Sequence, residues 1–306
     1  MDGIVSNDHQ KIARVFPRRT RATPDDALAF VGDPPLFVPP VDAVHISVTF
    51  TWDITEGRRL GKEWSRVAPV TVGGPAIGTR GEEFSPGVYL APGYTITSRG
   101  CPNRCWFCPV WKRDGNVREL EIRDGWKIQD DNLLACSREH ILAVFSMLKR
   151  QKCRAEFAGG LEAARFTAWH AETLFGLKPV QVFFAYDTAS DWEPLRGAAD
   201  LLWRAGFRKD ARSALRCYVL IGYPRDTIPA ADDRLRQVWN LGFLPMAMLY
   251  RGQDGKYDLA FRRFQRLWAR PAIMRSRFKT TEGSSIRTER QPDLFGTKSE
   301  EFPVRV

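Results

Sequence analysis

The sequence contains little histidine and no long apolar segment. Histidine accounts for four of the 306 residues, so few imidazole ligands are available for a metal site. No apolar run approaches the roughly 20 residues that a membrane-spanning helix needs. Residues 1–16 contain no apolar stretch followed by a small-residue cleavage site, so they do not resemble a secretory signal. From these absences we expect a cytoplasmic protein without a membrane partner.

Cysteine is scarce as well, with six residues in the chain. In a reducing compartment we expect these cysteines to be free thiols or metal ligands rather than a disulfide framework. The apolar fraction of 43% and the charged fraction of 27% are those of an ordinary globular protein. A chain of this length can form one large domain, or one medium-sized and one small domain.

The order of the predicted elements indicates an α/β fold. From Gly93 onward, short apolar segments that are typical of strands alternate with segments of helical periodicity. Ser137, Asp191 and Pro229 mark the beginnings of three helices. This alternation predicts a parallel sheet with right-handed crossovers, and six such units predict an open, partial parallel (β/α)6 barrel. The six predicted strands are 94–97, 126–129, 155–157, 180–185, 215–221 and 244–249.

The first 90 residues predict a smaller α/β layer. We expect strands at 12–16, 44–52 and 69–72, and a helix that begins after Asp53 and ends near residue 67. This pattern resembles a reduced doubly wound domain of the cobalamin-binding kind. The sequence therefore predicts three parts, which are the N-terminal layer (1–90), the partial barrel (91–252) and a basic C-terminal helix with a mobile tail (253–306).

The segment from Thr97 to Gly115 carries the most informative pattern. Cys101, Cys105 and Cys108 are spaced C-x3-C-x2-C, which lets three thiolates converge on one face of an irregular loop. A ferredoxin-type 4Fe–4S cluster needs four protein ligands, and no fourth cysteine lies nearby. Three ligands would leave one iron open for chemistry. A structural zinc site normally takes four ligands, and no histidine lies near this loop.

These residues resemble the signature of the radical S-adenosylmethionine superfamily. Phe107 occupies the aromatic position before the last cysteine, which in that superfamily lies near the adenine. The resemblance implies a 4Fe–4S cluster held by Cys101, Cys105 and Cys108, with S-adenosylmethionine at the open iron. Reductive cleavage of this cofactor would yield a 5′-deoxyadenosyl radical that abstracts hydrogen from a substrate. The resemblance also implies an external one-electron reductant of the flavodoxin or ferredoxin type.

The resemblance points to uncharacterised phage and bacterial members related to the cobalamin-associated and methylthiotransferase-like branches. Many superfamily members carry Gly-Gly-Glu after the second strand, where it binds the amino group of the cofactor. This chain has Asp130, Asp131 and Asn132 there instead. An acceptor role for this triplet is one interpretation, and a helix-capping turn is the other.

Two more residues are candidates for binding the cofactor, because ligands of parallel α/β folds gather at the carboxyl ends of the strands. Asp187, after the fourth strand, resembles the polar residue that meets the ribose hydroxyls, although it would serve equally as a loop cap. Gly222, after the fifth strand, either lets the backbone approach the adenine or is a turn glycine.

Three further residues are candidates for catalysis or for contact with the substrate. Glu162 lies in a Gly-Gly-x-Glu string after the third strand, and Arg165 follows it closely. Cys217 lies on the fifth strand, where it would act as a radical-relaying thiol if it faced the barrel interior. A buried, unreactive cysteine is the alternative.

Two features depart from the superfamily pattern. Residues 109–125 contain Asp-Gly turns around an extended segment, which predicts a hairpin where the first barrel helix normally lies. The N-terminal layer lacks the Asp-x-His-x-x-Gly motif that supplies an axial histidine to cobalamin. We therefore do not expect bound cobalamin.

The chain is basic, with a net charge of +10, and nine Arg or Lys against two Glu lie between Arg262 and Arg290. Such a segment suits an anionic partner, of which nucleic acid is the leading candidate. A solvated helix followed by a basic tail is the alternative. The sequence also leaves open a function of another class, namely a non-catalytic iron–sulfur or zinc-binding interaction protein.

Overall fold

The computed structural model of the protein describes residues 10–80, 83–209, 214–252, 255–269 and 274. The chain up to residue 269 forms one compact unit, and this unit contains two parallel sheets. The fold is therefore a mixed α/β fold, as the sequence predicts. Most of the predicted basic tail lies outside the described residues.

The first sheet has four parallel strands in the spatial order β2-β1-β3-β4. This is the order of a doubly wound sheet that ends after four strands. Helix α1 (Ile54–Trp64) connects β3 to β4. The sequence did not predict β2, because three residues are too few to show an alternating pattern. The strands are β1 (Ile12–Phe16), β2 (Ala29–Val31), β3 (Ala43–Ser47) and β4 (Val70–Gly73).

The core of this layer forms between the sheet and α1. Val15, Val44 and Ile46 of the sheet are almost fully buried against Leu60 and Trp64 of the helix. Leu60 and Trp64 are four residues apart, so they lie on the same side of α1. Burying these apolar side chains fixes the helix on the sheet.

The second sheet has six parallel strands that lie side by side in the order in which they occur in the chain. A separate antiparallel pair of strands, β6 and β7, flanks the segment with the three cysteines. The strands from residue 94 onward are β5 (Tyr94–Thr95), β6 (Ser98–Arg99), β7 (Arg118–Glu119), β8 (Lys127–Ile128), β9 (Glu156–Phe157), β10 (Gln181–Tyr186), β11 (Leu215–Ile221) and β12 (Leu244–Leu249). All of these except β6 and β7 belong to the six-stranded sheet.

Helices connect most consecutive strands of this sheet. With sequential strand order and crossovers of one hand, these helices lie on one face of the sheet. The side chains of β11 alternate accordingly, because Cys217 and Val219 are fully buried whereas Arg216 and Tyr218 are partly exposed on the other face. The helices are α2 (Val110–Arg113), α3 (Arg138–Arg150), α4 (Ala168–Leu177), α5 (Trp192–Arg204), α6 (Ile228–Leu241) and α7 (Leu259–Leu267).

The predicted hairpin at 109–125 is only partly present. Residues 118–119 are extended, but they pair with residues 98–99 rather than within the segment, and α2 occupies its beginning. Gly100 permits this pairing, since it has a φ of +87° and a Cβ there would collide with the carbonyl oxygen of Asn116.

None of the helices in the described part of the chain has the length and apolar character needed to cross a bilayer.

Candidate functional site

The three cysteines lie in an irregular segment between β6 and α2, beyond the carboxyl end of β5. We call residues 101–108 the cysteine loop. The backbone N–H of Cys101 donates to the carbonyl of Gly115 (3.0 Å), and the N–H of Cys108 donates to the carbonyl of Cys105 (3.1 Å). Cys105 is exposed, whereas Cys101 and Cys108 are partly buried. The loop is therefore tied to the segment that follows it and remains open to solvent at its centre.

The thiols are close enough for their charges to interact. Burial raises the pKa of the Cys105 thiol, and the neighbouring Cys108 and Cys101 raise it further. Among the described residues, however, no group of three or more Cys, His, Asp or Glu side chains is placed so that it could hold a metal ion. The donor chemistry suits an iron–sulfur cluster, but the sulfur atoms would have to draw together as the cluster binds. Such coupling between metal binding and local folding is usual for thiolate sites.

Asp130 ties the end of β8 to the residues that lead into the cysteine loop. Its Oδ1 accepts a hydrogen bond from the N–H of Thr97 (2.6 Å), and its Oδ2 accepts from the hydroxyls of Thr97 (2.6 Å) and Ser98 (2.8 Å). Asp130 is only 2% exposed, and this burial raises its pKa against the opposing effect of the hydrogen bonds. Because both oxygens already accept hydrogen bonds, this placement favours a role of Asp130 in positioning the loop over contact with a ligand.

Asp131 contacts residues that precede and follow the cysteine loop. Its Oδ2 accepts from the N–H of Gly100 (2.9 Å), and its Oδ1 lies 3.5 Å from a guanidinium nitrogen of Arg113. Arg113 also donates to Asp114 Oδ2 (2.6 Å), and both side chains are largely buried. The sequence pattern did not indicate this Arg113–Asp114 pair, because adjacent charged residues are usually found on the surface.

Asn132 contacts the first cysteine directly. Its Nδ2 donates to Cys101 Sγ (3.3 Å) and to Glu162 Oε2 (2.7 Å). Glu162 Oε2 also accepts from Arg165 Nε (2.8 Å). Asn132 is 4% exposed, and its Oδ1 is buried without a hydrogen-bond partner. A buried amide oxygen without a donor costs about 1–3 kcal/mol, so this atom is suited to accept a further hydrogen bond.

Two glycines allow Glu162 to reach this position. A Cβ at Gly159 would collide with the carbonyl oxygen of Asp130, so the chain after β9 passes directly against the end of β8. Gly160 has a φ of +90°, which favours glycine. The Gly-Gly-x-Glu string is thus explained by the close approach of two strand ends and the turn that follows.

Asp187 lies at the carboxyl end of β10, as predicted. Its Oδ1 accepts from the N–H of Leu220 (3.2 Å). Burial, together with the charge of Asp191, raises the pKa of Asp187 to about 7, although the Leu220 hydrogen bond and Arg234 act in the opposite direction. The charge of Asp187 contributes in turn to the raised pKa of Cys105. Asp187 is therefore near enough to Cys105 for their charges to interact.

Gly222 adopts a left-handed conformation with a φ of +72°, and its N–H donates to Asp226 Oδ2 (2.8 Å). A Cβ there would press against the ring of Phe261. Internal packing and the turn are sufficient to explain this glycine, which favours the turn interpretation over an approach to adenine.

Cys217 is fully buried and lies on the same face of β11 as Leu215 and Val219. This face packs under the helices, while Arg216 and Tyr218 occupy the opposite one. The placement favours the buried, unreactive cysteine over the radical-relaying thiol facing the barrel interior.

Phe107 is partly buried in the cysteine loop, where its ring meets the edge of Trp106 at a centroid distance of 5.3 Å. The structure therefore brings Asn132 against Cys101, with Glu162 bonded to Asn132 and Arg165 bonded to Glu162.

No family model matches this chain, and no curated protein sequence shows significant similarity to it. The function must therefore be inferred from the chain's own residues.

Proposed function

We propose that the chain is a radical S-adenosylmethionine enzyme whose cluster ligands are Cys101, Cys105 and Cys108. One observation carries this proposal. Three successive side chains after β8, those of residues 130–132, form hydrogen bonds with Thr97 and Ser98, with Gly100 directly before the cysteine loop, and with Cys101 itself. Incidental cysteines on a surface loop would not call for such buried anchoring. A bound 4Fe–4S cluster would supply the electron for reductive cleavage of S-adenosylmethionine.

The residues beside Cys101 suit the methionine part of that cofactor. The unpartnered Oδ1 of Asn132 and the carboxylate of Glu162 are acceptors for an ammonium group. The guanidinium of Arg165 is a donor for a carboxylate. In this proposal Asp187 accepts from the ribose hydroxyls and Phe107 contacts the adenine. Gly222 is left out of the binding site because its packing has another explanation.

We also infer that the six-stranded sheet curves into a partial barrel, with the substrate at its uncovered face. The crossover helices lie on one face of the sheet. The opposite face carries partly exposed polar side chains, among them Lys127, Glu156, Arg216 and Tyr218. Such groups are costly to bury without partners, so a solvated face that receives a polar substrate is the consistent arrangement. The proposal further requires an external one-electron reductant of the flavodoxin or ferredoxin type.

The test is anaerobic reconstitution of the full chain with iron and sulfide. We expect a 4Fe–4S electron paramagnetic resonance signal that shifts when S-adenosylmethionine is added, and 5′-deoxyadenosine after reduction with dithionite. Cys101→Ala should lose both. Cys153→Ala is the matched control, because Cys153 is an exposed cysteine outside the loop, and it should retain both.

The opposite results would assign the chain to the alternative class. Bound zinc, or a cluster that does not respond to S-adenosylmethionine, would indicate a metal-binding interaction protein. Deoxyadenosine formation at the normal rate by Cys101→Ala would show that the ligand assignment is wrong.

A further inference from the structure

Aromatic side chains from three separate segments meet beside the cysteine loop. Trp106 belongs to the loop and is 54% exposed. Its ring centroid lies 6.0 Å from that of Tyr223 and 5.5 Å from that of Tyr250. These two tyrosines follow β11 and β12 at their carboxyl ends. The cluster therefore lies at the edge of the sheet where the candidate site is built.

Arginine and further aromatic rings extend this cluster toward the N-terminal layer. The guanidinium of Arg251 lies 4.3 Å from the ring centroid of Trp52 and 4.6 Å from that of Tyr257. The guanidinium of Arg262 lies 5.1 Å from the ring of Tyr257. Trp52 is 38% exposed. The aromatic rim, as we name it here, consists of Trp52, Trp106, Tyr223, Tyr250, Arg251, Tyr257 and Arg262.

The charge around the aromatic rim is positive. Arg104, in the cysteine loop, and Arg225, in the turn after β11, are both exposed. Arg225 has a φ of +71°, a strained conformation for a residue with a Cβ, of the kind that concentrates at functional sites. Of the nearby acidic groups, Asp226 accepts from Arg234, and Asp258 accepts from the first N–H groups of α7. On the side of Cys105, Asp187 accepts from the N–H of Leu220, and Asp191 accepts from the N–H of Thr188. These carboxylates are engaged within the protein, so they only partly offset the arginines.

We propose that the aromatic rim binds single-stranded nucleic acid and presents one base to the cysteine loop. Presentation of the base to a reacting centre rests on the proposed function, whereas binding does not. The ring of Trp52 already stacks on Phe50 at a centroid distance of 4.8 Å, so the most exposed ring of the rim is that of Trp106. An exposed aromatic face stacks on an unpaired base whatever its sequence, and arginines beside it contact the phosphates. A duplex keeps its bases stacked and offers no free face to Trp106. An open, positively charged rim also differs from the enclosed apolar cavity that small ligands usually occupy.

Binding is measured by fluorescence anisotropy with the full chain and a labelled 12-nucleotide single strand, as DNA and as RNA, against the matching duplex. We expect the single strands to bind more tightly than the duplex. Trp106→Ala should weaken binding about tenfold, and Trp106→Phe should retain most of the affinity because it keeps a stacking face. Phe37→Ala is the control, since Phe37 is an aromatic residue that is 85% exposed in another loop, and it should change nothing.

A second pair of variants tests the phosphate contacts. Arg262→Ala should reduce the slope of log affinity against log salt concentration by about 0.7, which is the value for one phosphate contact on a single strand. Arg58→Ala removes an exposed arginine from α1 and should leave the slope unchanged. Circular dichroism of each variant verifies that it is folded.

Equal affinity of the wild type and Trp106→Ala, equal affinity for duplex and single strand, or no binding would each overturn the proposal. These outcomes are separable from a failure of the proposed function. Deoxyadenosine formation without nucleic-acid binding would refute the rim alone. Binding that depends on Trp106, without deoxyadenosine, would support the rim as a binding surface and refute the radical chemistry.

Discussion

Replacing Asp187 with Asn removes a carboxylate from a largely buried position at the end of β10. The amide oxygen of Asn can still accept the hydrogen bond that Asp187 Oδ1 receives from the N–H of Leu220. What changes is the charge, which burial and the nearby Asp191 disfavour in the folded state. We therefore expect Asp187→Asn to stabilise the protein at alkaline pH.

The magnitude follows from the raised pKa. In the folded protein the pKa of Asp187 is about 7, against 3.8 for the free side chain. Between these values the folded state holds a proton that the unfolded state has released, so the stability of the wild type falls as the pH rises. Each pH unit in that range costs about 1.36 kcal/mol, which gives about 2 kcal/mol between pH 5.5 and pH 7. Below pH 3.8 both states are protonated and the contribution disappears.

Urea unfolding at pH 5.5 and pH 8 measures this difference. The stability gained by Asp187→Asn should be about 2 kcal/mol larger at pH 8 than at pH 5.5. Asp200→Asn removes an exposed carboxylate from α5 and should show little dependence on pH. An equal gain for Asp187→Asn at both pH values would mean that Asp187 is ionised normally and that its surroundings have been misjudged.

Three other substitutions test the packing around the site. Gly159→Ala should destabilise the fold by about 3 kcal/mol, because its Cβ would meet the backbone of Asp130. Its control, Gly197→Ala in α5, has open space around its Cβ and should stabilise the fold by about 1 kcal/mol in the same urea assay. Equal effects of the two substitutions would contradict the close approach of Gly159 to Asp130. Asp130→Ala should lower the stability of the fold by about 3 kcal/mol, because it leaves the buried donors of Thr97 and Ser98 without their acceptor. It should also lower the iron content after reconstitution, and a normal iron content would argue against a role of Asp130 in positioning the loop. Cys217→Ala should lower the stability of the fold by about 1 kcal/mol by leaving a small cavity, and deoxyadenosine formation should be unchanged. A large loss of deoxyadenosine formation in a folded variant would restore the interpretation of Cys217 as a radical-relaying thiol.

The longer elements of the fold could be predicted from local patterns. Strands β11 and β12 agree with the expected 215–221 and 244–249, because β11 alternates buried with partly exposed side chains and β12 is an apolar segment. Helix α3 begins after Ser137, whose Oγ accepts from the N–H of His140 (3.2 Å), as its capping position predicts. Such features depend on neighbouring residues alone.

Other elements depend on contacts that the local sequence does not contain. Helix α4 was not among the predicted helices, because apolar residues such as the exposed Phe175 lie outside its buried face and obscure the helical pattern. Strands β5, β8 and β9 are each only two residues long, because their pairing ends where the chain turns toward the site. The strand pairing of residues 118–119 with 98–99 likewise depends on a turn at Gly100.

The same division applies to the candidate site. The spacing of Cys101, Cys105 and Cys108 is a local property, so the sequence by itself determined that three thiols share one loop. The roles of Asp130 and Asn132 were decided only by the tertiary structure, which bonds them to partners 33 and 31 residues away. Packing against the neighbouring strands sets the path of each loop that follows a strand. That path in turn sets the direction of the side chains in the loop. Position in the sequence therefore indicated which residues gather at this edge, and the folded chain decided which of them hold the loop and which face a ligand.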